Sequence, residues 1–352
     1  MQLERRAEPS RTMLLAAPLG AIAVTLLVTS LLVAWAGAPV GRAYALLLEG
    51  GFGSRFAITE TLTRATPLIL TGLAAAVAFR ARLYNIGAEG QLYAGAIAAV
   101  AVGGLHGGVG LELHPWLLWP LMIAAATAAG ALLLLGPALM KRLGVDEVVT
   151  TLLLNFIVLL AVSALLDGPM KDPSALGWPQ SVALQDTMQL DRLIERSRVH
   201  TGLVAALALA VALWALLRFT TTGFEIRAVG ANARAAAFAG MPVGWVTVKV
   251  ALISGALAGL AGAVEVAGRA HYVTLDMSPG YGYSGIVVAM LAMLHPLGVV
   301  AAAVFVAGIL VGADSMSRAV GVPTYIADVI VSAALIAMLV ATMLTQYRVR
   351  WR

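Results

Sequence analysis

The chain reads as a succession of long apolar runs separated by short polar connections. Ten runs can be drawn, over roughly 13–37, 65–80, 87–105, 115–140, 148–167, 200–219, 249–268, 283–295, 297–313 and 323–345. About 20 consecutive apolar residues carry a helix across a bilayer core, and most runs approach that length. The runs that start at Gly87 and Tyr283 fall short, which predicts short or broken helices held inside the protein. The pattern predicts an all-α polytopic membrane protein: one transmembrane domain over 1–352 with about ten transmembrane helices. Gly-rich interruptions at 85–95 and 278–298 fall at similar places in two halves, about 57–167 and 249–345. Breaks at matched positions read as a weak inverted repeat, an arrangement that transporters use to line a pathway.

The polar connections are informative in their own right. The longest one facing inward is 220–244, TTTGFEIRAVGANARAAAFAGMPVG. Thr222 with Glu225 three residues later fits a capping box, so a helix is predicted from Gly223. Gly230 is placed to end it in the left-handed conformation, and Asn232 to cap a second helix over 233–239. Gly240 and Pro242 then stop that second helix. A basic loop of this kind can serve only to fix topology. The double capping and the apolar face of Ala235, Phe238 and Ala239 point instead to a docking platform. On the other side lies 168–199, with three prolines and mixed charge, predicted as an irregular cap with one short helix over 186–196. A further outer segment, 41–64, carries Gly50, Gly51 and Gly53 and reads as an interfacial turn before the second span.

Polar residues also occur inside the apolar background. Asn85, Glu89 and Gln91 stand at the head of the third run, where Asn85 is placed to cap a helix and Glu89 sits near its positive end. They read either as a cap, with Glu89 neutralised by the helix dipole and Arg80 or Arg82, or as a broken helix end facing a watery pathway. Asp146 caps the fifth run, and Asn155, two turns in, reads as a hydrogen-bond partner for a neighbouring helix or as a solute contact. Gly255 and Gly259 form a small-xxx-small pattern that lets helices approach closely, with Glu265 near the outer end of the same run. Two short pieces around 278–298, broken by Gly and Pro, read as a discontinuous helix pair.

Composition fixes the solvent. Of 352 residues, 61% are hydrophobic and 12% charged, more apolar surface than a water-soluble domain can bury. There are no cysteines, which excludes disulfides, thiol catalysis and cysteine metal sites. The net charge of +5 belongs to membrane topology rather than to nucleic-acid binding. If the chain starts inside, 14 of its 23 Lys and Arg residues fall on inner connections and 9 on outer ones, which predicts both termini in the cytoplasm. The first run is longer than the roughly 7–15 residues of a signal-peptide core, so it reads as an uncleaved span. No phosphate-binding GxxxxGK[ST] loop, HExxH motif or nucleophile elbow occurs. The histidines (His106, His114, His200, His271, His295) are scattered, so neither a metal site nor catalysis is expected.

Five stretches together carry a family resemblance: NIGAEGQ at 85–91, GVDEVVTTLLLN at 144–155, GFEIRAVGANARAAAFAG at 223–240, SGALAGLAG at 254–262 and GYGYSGIVVAMLAMLHPLG at 280–298. They resemble the permease subunits of bacterial ABC importers for simple sugars, branched-chain amino acids and nucleosides, most closely the nucleoside type linked to basic-membrane-protein-like lipoproteins. Asp146 stands where Asn is common, and Phe238 where Tyr or another residue varies. The resemblance implies a multi-pass inner-membrane subunit of a bacterial cell that is not itself an enzyme. Its partners would be a second permease subunit (a paralogue or a second copy), an ATP-binding cassette ATPase that alone holds ATP, and an extracytoplasmic solute-binding protein. Under it, 220–244 is the ATPase-coupling region, with Glu225, Arg227, Gly230, Asn232 and Arg234 as coupling residues. Asn85, Glu89, Gln91 and Asn155 are the pathway candidates, and the cargo is a nucleoside first, a simple sugar next. The competing expectation is an ion-gradient-driven secondary transporter that would use Asp328 in the last run, with Glu265 and Asp314 nearer the outer side.

Overall fold

The computed structural model describes residues 2–5, 11–104, 113–321, 323, 325–326, 329–330, 332–333, 336–337, 340–341 and 347–350. The last predicted run is thus described only in part, and Asp328 lies outside the described residues. Twelve helices are named below in chain order: α1 (Arg11–Trp35), α2 (Val40–Phe52), α3 (Arg55–Arg80), α4 (Ala88–Gly103), α5 (Pro115–Met140), α6 (Glu147–Asp167), α7 (Gly202–Phe219), α8 (Thr221–Ala231), α9 (Ala233–Phe238), α10 (Val243–Glu265), α11 (Tyr281–Leu291) and α12 (Pro296–Val320). Among the described residues the one sheet is a short antiparallel ladder of β1 (Gln2–Arg5) and β2 (Tyr347–Arg350), which pairs the two ends of the chain.

Fewer than the expected ten spans are seen among the described residues. Among the described residues, 6 helices are long and apolar enough to cross a membrane, or up to 7 if the bent pair Ala23–Trp35 and Val40–Phe52 counts as one. The shortfall has a physical cause. α4 has 16 residues and α11 has 11, because each starts only after a polar break that protein covers. The segment read as an interfacial turn also differs. Residues 40–52 form α2, bent by 112° from the preceding helical stretch.

The chain divides into two compact units, 1–61 with 305–352, and 62–304. In the first, Tyr44 on α2 donates to the Leu26 carbonyl at 2.9 Å and meets the Thr29 hydroxyl at 2.5 Å, fixing the bend between α1 and α2. The glycines that looked like turn signals are packing residues. A Cβ on Gly51 would stand 2.4 Å from the Gly308 carbonyl oxygen, and one on Gly312 would stand 1.9 Å from that of Leu47.

The second unit is built around α10. Its small residues admit α5 on one side, where Gly255 and Gly259 face Gly130 and Ala126 backbone, and α4 on the other, where Gly262 faces the Leu92 carbonyl. A Cβ at Gly255, Gly259 or Gly262 would come within 2.3 Å of backbone oxygen in every case, so the small-xxx-small pattern does pack helices within this chain. Beyond Glu265, α10 widens into a π-type turn over Val266–Ala270.

Onto this end of α10 folds the connection 168–200, held as a strap. Ser181 N–H donates to the Val273 carbonyl at 2.9 Å, Leu184 N–H to His271 at 2.8 Å, and Leu190 N–H to Ala267 in the π-type turn at 2.8 Å. Gln185 N–H reaches Gly103 at 3.0 Å, and Trp119 Nε1 donates to the Thr187 carbonyl at 3.0 Å. The strap therefore bridges one end each of α4, α5 and α10. Its predicted helix over 186–196 is reduced to a single 3₁₀ turn, Asp186–Met188, because these backbone groups bond across to neighbours rather than along the chain.

At the end of the strap, the His200 ring lies buried against two glycines. A Cβ on Gly268 would sit 2.3 Å from Nε2 and one on Gly202 2.7 Å from Nδ1. Neither ring nitrogen has a partner among the described residues. Burial, then the positive neighbours His271 and Arg269, pull its pKa from 6.5 down to about 4. His271 is also lowered, by burial and by Arg192, with Asp186 opposing. The unfolded chain therefore takes up a proton at His200 near pH 6.5, while the folded chain resists until about 4. Stability from this site is complete above pH 6.5, falls as the pH drops toward 4, and levels off below; the full loss is about 3 kcal/mol. Thermal melts of the detergent-solubilised protein between pH 7.5 and 4 should show this decline, and His200→Gln should flatten it. A slope unchanged in the variant would assign the decline to other groups.

Candidate functional site

Two breaks that lie far apart in sequence come together in the second unit. The first, 85–87, precedes α4, and the second, 271–280, precedes α11. The reason is legible atom by atom. Ser278, Pro279 and Gly280 form a tight turn, with Gly280 at φ +82°, and Ser278 Oγ accepts the Tyr281 N–H at 3.0 Å. α11 then starts against the start of α4: a Cβ on Gly282 would stand 2.2 Å from the Glu89 backbone nitrogen, so only glycine fits there.

Glu89 joins the two helix ends. It sits in the first turn of α4, 3% exposed, and its Oε2 accepts the Gly282 N–H at 2.6 Å. The Ser278 side chain is part of its electrostatic surroundings. Two positive helix ends thus share one buried carboxylate. Neither guanidinium named for this task in the sequence is its partner: Arg80 Nη2 donates to the Leu294 carbonyl at 2.8 Å, and the Arg82 carbonyl accepts Lys141 Nζ at 2.6 Å.

Around Glu89 the other three pathway candidates form a closed network. Asn85 and Gln91 exchange amide hydrogen bonds, Nδ2 to Oε1 and Nε2 to Oδ1, each 2.9 Å. Asn85 Oδ1 also accepts the Gly87 N–H at 3.0 Å, while its Nδ2 donates to Ser254 Oγ on α10 at 3.1 Å. Ser254 passes its own proton to the Ala74 carbonyl on α3 at 2.8 Å. From α6, Asn155 Oδ1 accepts the Gly90 N–H at 2.8 Å, and its Nδ2 donates to the Ile86 carbonyl at 2.9 Å and to the Tyr283 hydroxyl at 3.0 Å. The Ile86 N–H finds Thr151 Oγ1 at 3.2 Å. The helix is capped from outside rather than by its predicted cap. Gly87 stands at the N-cap position, Asn85 serves the turn before it, and Asn155 supplies the acceptor for the first turn. Asp146 does cap α6 as expected, accepting the Val148 N–H at 2.8 Å.

The inner platform is present, with changed details. Thr220, not Thr222, caps α8, accepting the Gly223 N–H at 3.1 Å, and α8 runs through Gly230 to Ala231. Gly230 is not a left-handed stop. It is buried, and a Cβ there would meet the Arg80 carbonyl oxygen at 1.8 Å, so it is the point where α8 rests on the end of α3. Asn232 caps α9 as predicted, through the Arg234 and Ala235 N–H groups at 3.0 and 3.1 Å. Gly240 takes φ +81° after it. Glu225 bonds Lys249 Nζ on α10 at 3.0 Å instead of closing a capping box. Gly223, Ile226, Val229 and Gly230 face inward, leaving Phe224, Arg227, Arg234 and Phe238 exposed, the last at 97%. Phe224 was not singled out from the sequence, although its place three residues before Arg227 on the face opposite Ile226 identifies it.

A second polar group escaped the sequence reading. Glu265 and Tyr281 are buried with Tyr93, whose hydroxyl donates to the Leu275 carbonyl at 2.6 Å. Glu265 Oε1 pairs with Arg269 Nε. No run of spaced residues marks this group, since its members come from α4, α10 and α11.

Known proteins place the whole chain in context. Residues 57–339 match the family described as branched-chain amino acid transport system / permease component. The chain is similar to the guanosine ABC transporter permease protein NupP of Bacillus subtilis (strain 168), 38% identical over 328 residues, 92% of each chain. It is 36% identical to the glucose ABC transporter permease protein TsgB13 of Haloferax volcanii, over 87% of this chain and 82% of that one. With the nucleoside ABC transporter permease protein NupB of Lactococcus lactis subsp. cremoris the identity is 31%, over 82% and 81%.

The network makes a stability prediction. Asn155→Ala leaves the Gly90 N–H and the Ile86 carbonyl buried without that partner and should cost about 2–3 kcal/mol. The exposed cap change Asn232→Ala should cost only about 1 kcal/mol. Thermal melts of the two purified variants should therefore rank Asn155→Ala well below Asn232→Ala; the opposite order would mean that the network is not what holds the helix ends.

Proposed function

The chain belongs to the branched-chain amino acid transport system permease family, and we propose that it is the membrane-spanning subunit of an ATP-driven importer whose cargo is a nucleoside, with a simple sugar as the next choice. The family is one of ABC permease components, multi-pass membrane proteins that move solute while a separate subunit hydrolyses ATP. A guanosine permease, a nucleoside permease and a glucose permease among the relatives support the choice of cargo. In this reading the chain lies in a bacterial inner membrane with both termini in the cytoplasm, following the excess of Lys and Arg on inner connections. A second permease subunit completes the pore, and an extracytoplasmic binding protein delivers solute to the outer face.

The observation that carries the reading is the α8–α9 platform. It is built as a rigid projection: its inward face is anchored by Gly230 on the α3 end and by the Glu225–Lys249 pair, while Phe224, Arg227, Arg234 and Phe238 stand exposed. Exposed aromatic and Arg side chains on one preorganised element are the composition of an interface hot spot. The ATPase would dock here. Arg227 and Arg234 act as contact residues, while Glu225, Gly230 and Asn232 hold the platform in shape. ATP-driven closure of the ATPase pair would move this projection as a rigid body and so drive alternating access. Asn85, Glu89, Gln91 and Asn155 then act as the clasp about which the broken helices move.

A pull-down from the native cells tests this. The tagged wild-type chain should recover an ATPase subunit and a second permease. Phe238→Ala together with Arg227→Ala should lose most of the ATPase, at least tenfold, yet keep the second permease. Recovery of the chain alone, with uptake that survives ATP depletion in vesicles holding an ion gradient, would overturn the reading in favour of a secondary transporter using Asp328.

A further inference from the structure

Two side chains in the interior of the second unit, one on α10 and one on α11, each carry a polar atom that the protein leaves unserved. Glu265 is 0% exposed and Tyr281 is 1% exposed, and neither Glu265 Oε2 nor the Tyr281 hydroxyl has a hydrogen-bond partner among the described residues. They belong to one electrostatic neighbourhood, for Glu265, Arg269, Arg64 and Glu89 all act on the Tyr281 hydroxyl. The polar side chains of Asn85, Gln91, Asn155 and Ser254 are paired, and the other orphaned buried atoms belong to the rings of His200 and His271. An orphaned buried polar group costs about 1–3 kcal/mol, and two together call for a ligand that visits them.

The surroundings define that ligand. Carboxylates at Glu265 and Glu89 disfavour an anion, and the guanidinium groups of Arg269 and Arg64 disfavour a cation. A carboxylate oxygen only accepts, while a phenolic hydroxyl donates and accepts. The complementary partner is a neutral solute with adjacent hydroxyl groups, one donating to Glu265 Oε2 and the next exchanging with Tyr281. The ribose diol of a nucleoside and the ring hydroxyls of a hexose both meet this description.

The cover over the pair is also defined. The connection 271–280 has no helix, and it is tied down by Tyr93, whose hydroxyl bonds the Leu275 carbonyl at 2.6 Å and the Ser278 N–H at 3.3 Å, and by Arg269 Nη2, which bonds the Met277 carbonyl at 3.0 Å. With the strap bonds to His271 and Val273 these hold an irregular segment by its backbone at separate points, and a segment without a helix of its own is the kind of element that moves when a transporter opens. We infer that Glu265 and Tyr281 form a solute subsite for the hydroxyl groups of a neutral cargo, closed here by the connection 271–280. The inference rests on the reading of the chain as an importer permease and adds the contact residues that reading lacks.

The test uses the assembled transporter in proteoliposomes with its binding protein, and three radiolabelled probes, guanosine, 2′,3′-dideoxyguanosine and glucose. Tyr281→Phe removes only a hydroxyl that has no protein partner, so the melting temperature of the assembly should not fall. Guanosine uptake should drop about tenfold, while dideoxyguanosine uptake should be unchanged, and Glu265→Gln should reproduce that selective loss. Equal losses for guanosine and dideoxyguanosine, or no loss for either in Tyr281→Phe, would overturn the subsite and leave the importer reading standing. ATP-driven wild-type uptake of neither guanosine nor glucose would overturn the importer reading, and the subsite with it.

Discussion

The arrangement depends on one buried carboxylate placed between two helix ends. Glu89 accepts the Gly282 N–H while standing in the first turn of its own helix, so the positive ends of α4 and α11 converge on it. A carboxylate in a membrane interior is costly, and an isolated one would not stay charged there. Two helix dipoles, one backbone hydrogen bond and the Ser278 side chain make the site tolerable. The same bond explains why both helices are short. Each must begin where the other begins, in the protein interior, and the polypeptide before each start has to be irregular. Irregular backbone at that depth needs other partners, and Asn155, Thr151, Asn85 and Thr71 provide them, Thr71 Oγ1 reaching the Tyr281 carbonyl at 2.9 Å.

Close packing along α10 makes this geometry reachable. With Cβ atoms at Gly255, Gly259 and Gly262, α10 could not approach α5 and α4 at backbone contact, and Ser254 would be carried away from Asn85. In lipid, where apolar side chains gain nothing by leaving one hydrocarbon for another, this contact and the hydrogen bonds it admits are the main sources of helix association. The small residues and the polar network are therefore two parts of one device: the first sets the distance and the second sets the register.

The sequence announced most of this architecture through local signals. Runs of apolar residues identify α3, α5, α6, α7, α10 and α12, because a bilayer imposes length on each helix separately. Asp146 and Asn232 were legible as caps because a cap is a contact over two or three residues. The misreadings occur where a residue answers to something far away in the chain. Gly230 looks like a helix stop and is a seat for the Arg80 carbonyl; Gly51 looks like a turn and is a contact for Gly308. Glu89 was matched with nearby arginines, whereas its partner Gly282 is 193 residues away. Of the candidate site, the four polar residues 85, 89, 91 and 155 could be picked out because polar side chains in apolar runs are conspicuous. Glu265 could be seen only as one such residue, and its relation to Tyr281 could not be seen at all, since it exists only once the second unit is folded.

Distance along the helices ties the inner platform to the buried clasp. α10 begins at Val243, directly after α9 and its turn, and Ser254 bonds Asn85 eleven residues later. At 1.5 Å per residue that is about 16 Å of continuous helix. The platform also grips α10 through Glu225 and Lys249, within two turns of Ser254. By a second route, Gly230 rests on the Arg80 carbonyl, and Arg80 Nη2 holds the Leu294 carbonyl in the turn between α11 and α12. α8 is thus connected to Asn85 through α10 and to α11 through Arg80. Both paths combine a helix or a close backbone contact with side-chain bonds from Lys249, Ser254 and Arg80. The clasp joins α4 to α11 through the Gly282 N–H on Glu89, through Asn155 between the Ile86 carbonyl and the Tyr283 hydroxyl, and through Tyr93 on the Ser278 N–H, so the two paths end on one shared set of bonds.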